Sequence, residues 1–124
     1  MNPAPLADPA IVAFARRILA ARQSRYEEFP DVDFADAEWG ILLDLFIAAE
    51  EGKNVSLSSL VISAAVPKTT ALRAVNELVA NGHLTREQDP RDGRRSHAFL
   101  TPKMHERLYH LVRRLMAASM PNED

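Results

Sequence analysis

The chain has 124 residues, of which 47% are hydrophobic and 26% are charged, a composition typical of one globular domain rather than a disordered segment. It contains no cysteine, which excludes a disulfide framework, a thiolate zinc site and a cysteine nucleophile. No apolar run approaches the roughly 18 residues of a membrane-spanning helix. The first residues also lack the basic segment of a signal peptide, so we expect a cytoplasmic protein without membrane contact.

The charge is distributed unevenly along the chain. Residues 1–60 contain five basic and ten acidic residues, a net charge of −5, whereas residues 61–124 contain ten basic and seven acidic residues, a net charge of +3. The overall charge of −2 argues against a generic polyanion binder. The basic half can nevertheless direct one face of the protein toward phosphates.

Two helices are predicted before residue 53. Asp8 is a suitable N-cap for the first helix, because the proline that follows it suits the first helical position. This helix is predicted to continue to about Tyr26. Pro30 lies in an acidic stretch that predicts a solvated linker. Asp36 is predicted to cap the second helix, which ends at Gly52. The apolar stripes of the two helices are Ile11, Phe14, Ala15, Ile18 and Leu19, then Trp39, Leu42, Leu43, Phe46 and Ile47.

Two further helices meet across a tight turn. Ser56 is predicted to cap a short third helix, and Pro67 is predicted to open a fourth that continues to about Asn81 and stops at Gly82. The fourth helix is expected to bury one apolar stripe, formed by Leu72, Val75, Leu78 and Val79.

A β-hairpin and a last helix follow. Residues 84–88 and 96–100 are predicted as short strands, because residues 89–95 between them are rich in turn formers. Thr101 and Pro102 supply the cap and first position of a final helix. Its apolar stripe contains Met104, Leu108, Leu111, Val112, Leu115 and Met116.

This order of elements is that of a winged helix-turn-helix, in which the second helix of the motif enters the major groove of DNA. Thr69, Arg73 and Asn76 share one polar face of the fourth helix. Arginine can bind guanine, asparagine can bind adenine, and Thr69 and Thr70 can contact phosphates or a thymine methyl group. Lys68 adds a phosphate contact. The alternative is that this face is simply solvated, as exposed helix faces usually are.

The tip of the hairpin carries a compact cluster of positive charge. Arg91, Arg94 and Arg95 lie within five residues, a pattern suited to phosphates or to the minor groove. Asp89 and Asp92 either neutralise part of this charge or, in the case of Asp92, brace Arg94. Together with the preceding helices, this cluster favours DNA binding over a merely soluble loop.

The residues from 36 to 101 resemble the winged-helix core of the multiple-antibiotic-resistance regulator (MarR) family. The resemblance covers about half of the chain and depends on the recognition helix, the entry to the wing and the wing itself. The matching residues are Thr69, Thr70, Arg73 and Leu78, then Gly82, His83 and Leu84, and then Asp92, Gly93, Arg94, Leu100 and Thr101.

The resemblance implies a homodimeric transcription regulator, often a repressor, that binds pseudo-palindromic double-stranded DNA and sometimes releases it on binding a small aromatic ligand. The chain departs from the family where Pro102, Lys103 and Met104 follow Leu-Thr, and its last helix is short. The candidates for a dimer interface lie on the first helix (Ile11, Phe14 and Ile18) and on the last (Leu108, Leu111, Leu115 and Met116), and packing within one subunit is the alternative for these residues. We name no effector. The predicted parts are an N-terminal helix and linker (1–35), a winged helix-turn-helix domain (36–101) and a C-terminal dimerisation helix (102–124).

Enzymatic activity, a metal site and a cofactor are not expected. The histidines have no metal-binding spacing, and no phosphate-binding glycine loop or nucleophile elbow is present. His83 and His97 can approach across the hairpin, but two ligands do not make a zinc site. His105 and His110 diverge around the last helix. The alternatives to a regulator are a winged-helix protein-interaction module with an acidic partner and a non-specific nucleic-acid-binding protein.

Overall fold

The structure, a computed structural model, describes residues 1–121, which form five α-helices and a three-stranded antiparallel sheet. In chain order the elements are α1 (Pro9–Glu28), α2 (Ala37–Glu51), β1 (Val55–Ser56), α3 (Leu57–Ser63), α4 (Lys68–Ala80), β2 (Leu84–Gln88), β3 (Ser96–Leu100) and α5 (Pro102–Ser119). The five predicted helices and both predicted strands are present, which confirms a mostly α fold with a small β wing. The end of the predicted C-terminal part, 122–124, lies outside the described residues. None of the helices in residues 1–121 is long and apolar enough to cross a membrane.

Helix α1 begins as predicted and ends slightly later. The Asp8 carboxylate accepts a hydrogen bond from the backbone N–H of Ile11 at 3.0 Å. The helix continues two residues past Tyr26 to Glu28, so the first acidic residues of the predicted linker are helical. Arg25 in the last turn interacts favourably with the carbonyl end of the helix.

Helix α2 lies at the centre of the hydrophobic core. Leu43 and Phe46 are fully buried, whereas Trp39 and Leu42, which the predicted stripe includes, are only partly buried. The helix ends at Gly52, whose left-handed φ of +67° is readily adopted only by glycine. All five helices and the sheet contribute to one apolar cluster, which includes Ile11, Ile41, Leu43, Leu45, Phe46, Leu60, Val75, Leu84, Leu100, Leu108 and Val112.

Helices α3 and α4 form the predicted helix-turn-helix. Ser56 caps α3, because its hydroxyl oxygen accepts from the backbone N–H of Ser59 at 3.2 Å. The turn contains Ala65 in a left-handed conformation (φ +58°), which costs a residue with a Cβ about 1–2 kcal/mol. Pro67 immediately precedes α4 and cannot continue the preceding helix. The strained turn therefore sets the direction in which α4 leaves α3.

The sheet has the order β1-β3-β2. Strands β2 and β3 pair antiparallel, with Leu84 opposite Leu100. Strand β1, which the sequence does not predict, adds only two residues and places Val55 opposite Ala98. Two residues are too few for an alternating pattern, and the strand exists because β3 offers it a free edge.

Helix α5 returns from the sheet to the core. The Thr101 hydroxyl caps it by accepting from the backbone N–H of Met104 at 3.3 Å, as predicted. Leu108 and Val112 are buried, but Leu115 remains 37% exposed. Helix α5 packs against α1 and α2, so the two terminal helices share one side of the molecule.

A buried polar pair joins α5 to α2. Nε2 of His105 lies 3.1 Å from Oε1 of Glu50, and each side chain is only 1% exposed. The Glu50 carboxylate also accepts hydrogen bonds from the backbone N–H groups of Leu6 and Ala7 at 3.0–3.2 Å. The His105 ring packs against Phe46, with ring centroids 5.7 Å apart. These contacts anchor the N-terminal segment to the core.

Candidate nucleic-acid interface

Helix α4 presents one polar face to solvent. Thr69, Arg73 and Asn76 are exposed and line the same shallow depression of about 500 Å³, together with Glu77. Lys68 and Thr70, at the start of the helix, are also exposed. The structure therefore brings the five predicted recognition residues to the surface on one helix. Glu77, which was not among the predicted site residues, adds a negative charge to this face.

The buried side of α4 differs from the predicted stripe. Val75 and Leu78 are buried as predicted, but Leu72 and Val79 are only partly buried. Their places in the core are taken by Ala71, at 0% exposure, and Ala74. Small side chains let α4 approach α2 closely, and the larger Leu72 is displaced toward the surface, where it lines two cavities.

Four basic side chains line a cleft between the helix-turn-helix and the wing. The cleft, of about 410 Å³, is lined by Lys68 of α4, Arg86 of β2 and Arg94 and Arg95 of the wing. Its apolar part includes Ile62 of α3, which is 81% exposed. A groove with this charge, next to the exposed face of α4, attracts a phosphate backbone.

Arg86 connects the wing to the polar face of α4. A guanidinium nitrogen of Arg86 donates a hydrogen bond to Oδ1 of Asn76 at 3.2 Å. Arg86 was not among the predicted site residues. The sequence offers only a basic residue within the predicted strand 84–88, and the solvated face of an antiparallel strand commonly carries charged residues.

Hydrogen bonds within the wing hold its tip in shape. Oδ1 of Asp92 accepts from the backbone N–H of Arg94 at 3.1 Å and from its Nε at 3.2 Å. Asp92 therefore lies where a bracing residue would have to lie. The backbone N–H of Arg91 donates to Asp89 at 2.8 Å and holds the pKa of the Asp89 carboxyl below its usual value.

The structure separates Arg91 from the other two wing arginines. Arg94 and Arg95 face the cleft beside α4, whereas Arg91 lines a different cavity of about 490 Å³ with Asn54 and His97. The three arginines, close together in sequence, thus divide between two sides of the hairpin. Only two of them share a surface with α4.

Residues of α1 and of the linker hold the turn before α4. Nη1 of Arg22, a buried residue, donates to the backbone carbonyl of Ala64 at 2.8 Å, and Nε of Arg22 lies 3.3 Å from Asp36. Arg22 was not predicted to take part, although it continues the apolar stripe of α1 four residues after Ile18. An arginine at that position is normally exposed, so the spacing was the only available signal.

Asp36 does not cap α2, contrary to the prediction. It precedes the helix, but its backbone (φ −126°, ψ 32°) lies outside the usual capping conformation and its side chain makes no capping bond. The carboxylate instead accepts from Arg25 at 2.6 Å and Tyr26 at 2.7 Å. Burial works to raise the pKa of Asp36, but these two hydrogen bonds and the charge of Arg22 outweigh it and lower the pKa.

The histidines do not form a metal site within residues 1–121, where no group of three or more candidate ligands comes together. His97 lies opposite Glu87 in the sheet, whereas the carbonyl of His83 accepts from the N–H of Thr101. His83 and His97 therefore do not meet across the hairpin, because the strand register places them at different levels.

Helices α2 and α5 leave an apolar groove between them at the surface. Trp39 and Leu42 of α2 line a cavity of about 480 Å³ with Leu108 and Leu111 of α5. Arg107 and Arg114 also line this cavity. The groove thus contains residues that were predicted for the core stripe of α2 and for the dimer interface.

Comparison with known proteins supports this description of the fold. No protein-family model and no curated protein matches the chain. Solved structures do match. MepR of S. aureus, in a crystal structure described as its DNA-binding conformation, aligns with a TM-score of 0.56 and 14% identity over 86% of this chain and 76% of MepR.

Two further solved structures have the same fold. A cysteine-to-serine mutant of MarR from E. coli gives a TM-score of 0.54 at 16% identity, over 93% of this chain and 79% of that protein. A probable transcriptional regulator from Pseudomonas aeruginosa gives 0.53 at 23% identity, over 90% and 83%. This chain has the MarR-type winged-helix fold. The resemblance drawn from the recognition helix and the wing is thereby confirmed at the level of the fold.

Proposed function

We propose that this MarR-type protein is a sequence-specific DNA-binding transcription regulator that acts as a homodimer on a pseudo-palindromic site. The observation that carries the proposal is the exposed polar face of α4 beside a cleft lined by four basic side chains. A helix of this composition fits the major groove, and the adjacent positive charge fits the phosphates on either side of it. Among the solved structures with this fold, MepR is described in a DNA-binding conformation and the Pseudomonas aeruginosa protein as a probable transcriptional regulator.

In this proposal α4 reads bases and the wing holds the backbone. Arg73 is exposed, so its guanidinium can make paired hydrogen bonds with guanine, and Asn76 faces the same depression. Thr69 and Thr70 lie near the start of α4, where hydroxyl and backbone N–H groups commonly contact phosphates. Arg94 and Arg95 would bind the backbone or the minor groove beside it.

The terminal helices support a dimer. The groove between α2 and α5 is mostly apolar, and Leu115 near the end of α5 and Met120 directly after it are 37% and 61% exposed. In the proposed dimer, two copies pair through α5 and the neighbouring α1, this surface is buried, and the two α4 helices lie in successive major grooves, about 34–36 Å apart. A regulator of this kind represses transcription when its site overlaps a promoter.

The decisive experiment is selection of bound duplexes from a randomised pool, followed by anisotropy titration of the selected and a scrambled duplex at several salt concentrations. A two-fold symmetric site bound roughly a thousandfold more tightly than the scrambled duplex would support the proposal. Weak, salt-sensitive binding without enrichment would indicate a non-specific nucleic-acid binder. No binding at all would favour a protein-interaction module.

Two variants test the assignment of α4. Arg73→Ala should weaken binding to the selected duplex by about 1–3 kcal/mol and binding to the scrambled duplex much less, because only the selected duplex offers the matching base. Arg113→Ala is the control, since it removes the same charge from an exposed position of α5 outside the cleft and the polar face. Equal losses on both duplexes would reduce Arg73 to a phosphate contact.

A further inference from the structure

The most unusual buried group in the protein is the guanidinium of Arg22. The Arg22 side chain is only 1% exposed, although arginine is rarely buried without full pairing. Two of its three nitrogens, Nε and Nη2, are buried without a hydrogen-bond partner of good geometry. The third, Nη1, donates to the backbone carbonyl of Ala64. Burying this cation is unfavourable, and its one hydrogen bond of good geometry is to the turn between α3 and α4.

The surroundings of Arg22 are shaped to hold it. A Cβ added to Gly40 of α2 would lie 2.5 Å from Cζ of Arg22, so only glycine leaves room for the guanidinium. The Tyr26 ring lies beneath the guanidinium at 4.8 Å, and the Asp36 carboxylate faces Nε at 3.3 Å. An aromatic face and a carboxylate both stabilise a buried guanidinium.

The acceptor of this hydrogen bond lies at a critical point of the helix-turn-helix. Ala64 follows the last residue of α3, and the next residue, Ala65, has the left-handed conformation that reverses the chain. Helix α4 begins only four residues after Ala64. A small rotation at this turn is therefore transmitted directly to the polar face of α4, on which Arg73 lies.

We infer that Arg22 is a positioning residue, which locks the turn before α4 to α1 and so fixes the orientation in which α4 meets DNA. The inference rests on the proposed function. Base contacts depend on orientation within roughly 10–20°, whereas attraction between basic side chains and phosphates changes little over such an angle. Loss of the lock should consequently reduce discrimination between DNA sequences more than it reduces binding to DNA in general.

The test compares the affinities of the selected and the scrambled duplex for Arg22→Met. Methionine retains the apolar stem but has no donor for Ala64. We expect the ratio of the two affinities to fall about tenfold, the effect of one lost hydrogen bond of about 1.4 kcal/mol, while scrambled binding stays within about twofold. Arg25→Ala is the matched control, because it removes a neighbouring cation that contacts Asp36 but does not reach Ala64. It should leave the ratio unchanged.

Gly40→Ala provides an independent route to the same effect. The added methyl group displaces the guanidinium while Arg22 keeps its charge, so the ratio should again fall. In the Arg22→Met background the same change should cost much less, because methionine lacks the two atoms that lie closest to the added methyl group, Cζ and Nη1. If Arg22→Met does not fold, Gly40→Ala alone tests the inference. Arg22→Lys, whose amine still has a donor for Ala64, should restore most of the ratio.

Amide hydrogen exchange separates positioning from general stability. In Arg22→Met the amide of Ala64, which donates to the carbonyl of Leu60, should exchange at least tenfold faster, while the amides of Leu43 and Phe46 in α2 should change much less. An unchanged affinity ratio in both Arg22→Met and Gly40→Ala would overturn the inference, as would an equal loss on both duplexes. Failure of the unaltered protein to discriminate between the duplexes would instead refute the proposed function.

Discussion

Replacement of Glu50 by alanine tests whether the buried pair between α2 and α5 holds the fold together. The change removes the partner of His105, at 3.1 Å, in a site where both side chains are 1% exposed. Leaving a buried hydrogen-bonding group without its partner typically costs about 1–3 kcal/mol. The amides of Leu6 and Ala7 also lose their acceptor. Because three donors lose one acceptor together, we expect the upper end, about 3 kcal/mol.

The loss in the free energy of unfolding can be measured by urea unfolding at pH 7, with circular dichroism as the signal, and by thermal unfolding. With an unfolding entropy of roughly 2.1 cal/mol/K per residue, 3 kcal/mol corresponds to a fall in Tm of about 10–12 °C for the 124-residue chain. Glu50→Gln retains one acceptor oxygen for His105 and should cost only about 1–2 kcal/mol. The slope of free energy against urea should remain unchanged in both variants.

The protein contains its own control for this experiment. Glu106 and His110 form a second pair on α5, with Nε2 3.8 Å from Oε1, but their side chains are 67% and 51% exposed. Glu106→Ala should cost less than about 0.5 kcal/mol, because exposed pairs contribute little. A loss below about 1 kcal/mol in Glu50→Ala, or equal losses in Glu50→Ala and Glu106→Ala, would refute the assignment of a structural role to the buried pair.

Three further predictions concern the wing, the turn and the linker. Arg94→Ala combined with Arg95→Ala should weaken binding to all duplexes and reduce the slope of log affinity against log salt by about one to two, because up to two phosphate contacts are lost. The Arg113→Ala variant should leave this slope unchanged in the same anisotropy titrations. Ala65→Gly should raise the free energy of unfolding by about 0.5–1 kcal/mol, since glycine adopts the left-handed conformation without strain. Asp36→Asn should destabilise the protein at pH 7. Because the pKa of Asp36 is lowered by its hydrogen bonds from α1, the difference from the unaltered protein should be full above about pH 4 and disappear as the pH falls through the folded-state pKa.

Each of these predictions has its own contradicting result. An unchanged salt slope would remove Arg94 and Arg95 from the phosphate contacts. A lower melting temperature for Ala65→Gly would mean that the entropy of glycine in the unfolded chain outweighs the strain at the turn. For Asp36→Asn, a difference that persists at about pH 2 would show that packing rather than charge explains the loss.

Local sequence signals were sufficient to predict most helices and the hairpin. Asp8, Ser56 and Thr101 each cap a helix, and Gly52 ends one, because these residues satisfy backbone groups within a few positions of themselves. The strands of the hairpin were predicted to the residue, since turn formers lie between them. Asp36 was the exception, because its carboxylate is drawn away by cations that are distant in sequence.

Only part of the candidate nucleic-acid interface could be predicted from the sequence. The spacing of Thr69, Arg73 and Asn76 predicted one polar face, since helical geometry alone decides which residues share a side. The sequence could not show that Arg86 reaches Asn76, nor that Arg91 lies across the hairpin from Arg94. Those relations depend on how the wing folds back beside α4.

By itself, then, the sequence determined the order of the elements, their caps and the face that α4 exposes, because each depends on residues within one or two turns of chain. Only the tertiary structure decided that Arg22 is buried against Gly40, that His105 meets Glu50, and that β1 joins the sheet. These features join segments far apart in the chain. A charged side chain is buried only where another segment supplies its partner and its space, and neither is visible in the local pattern.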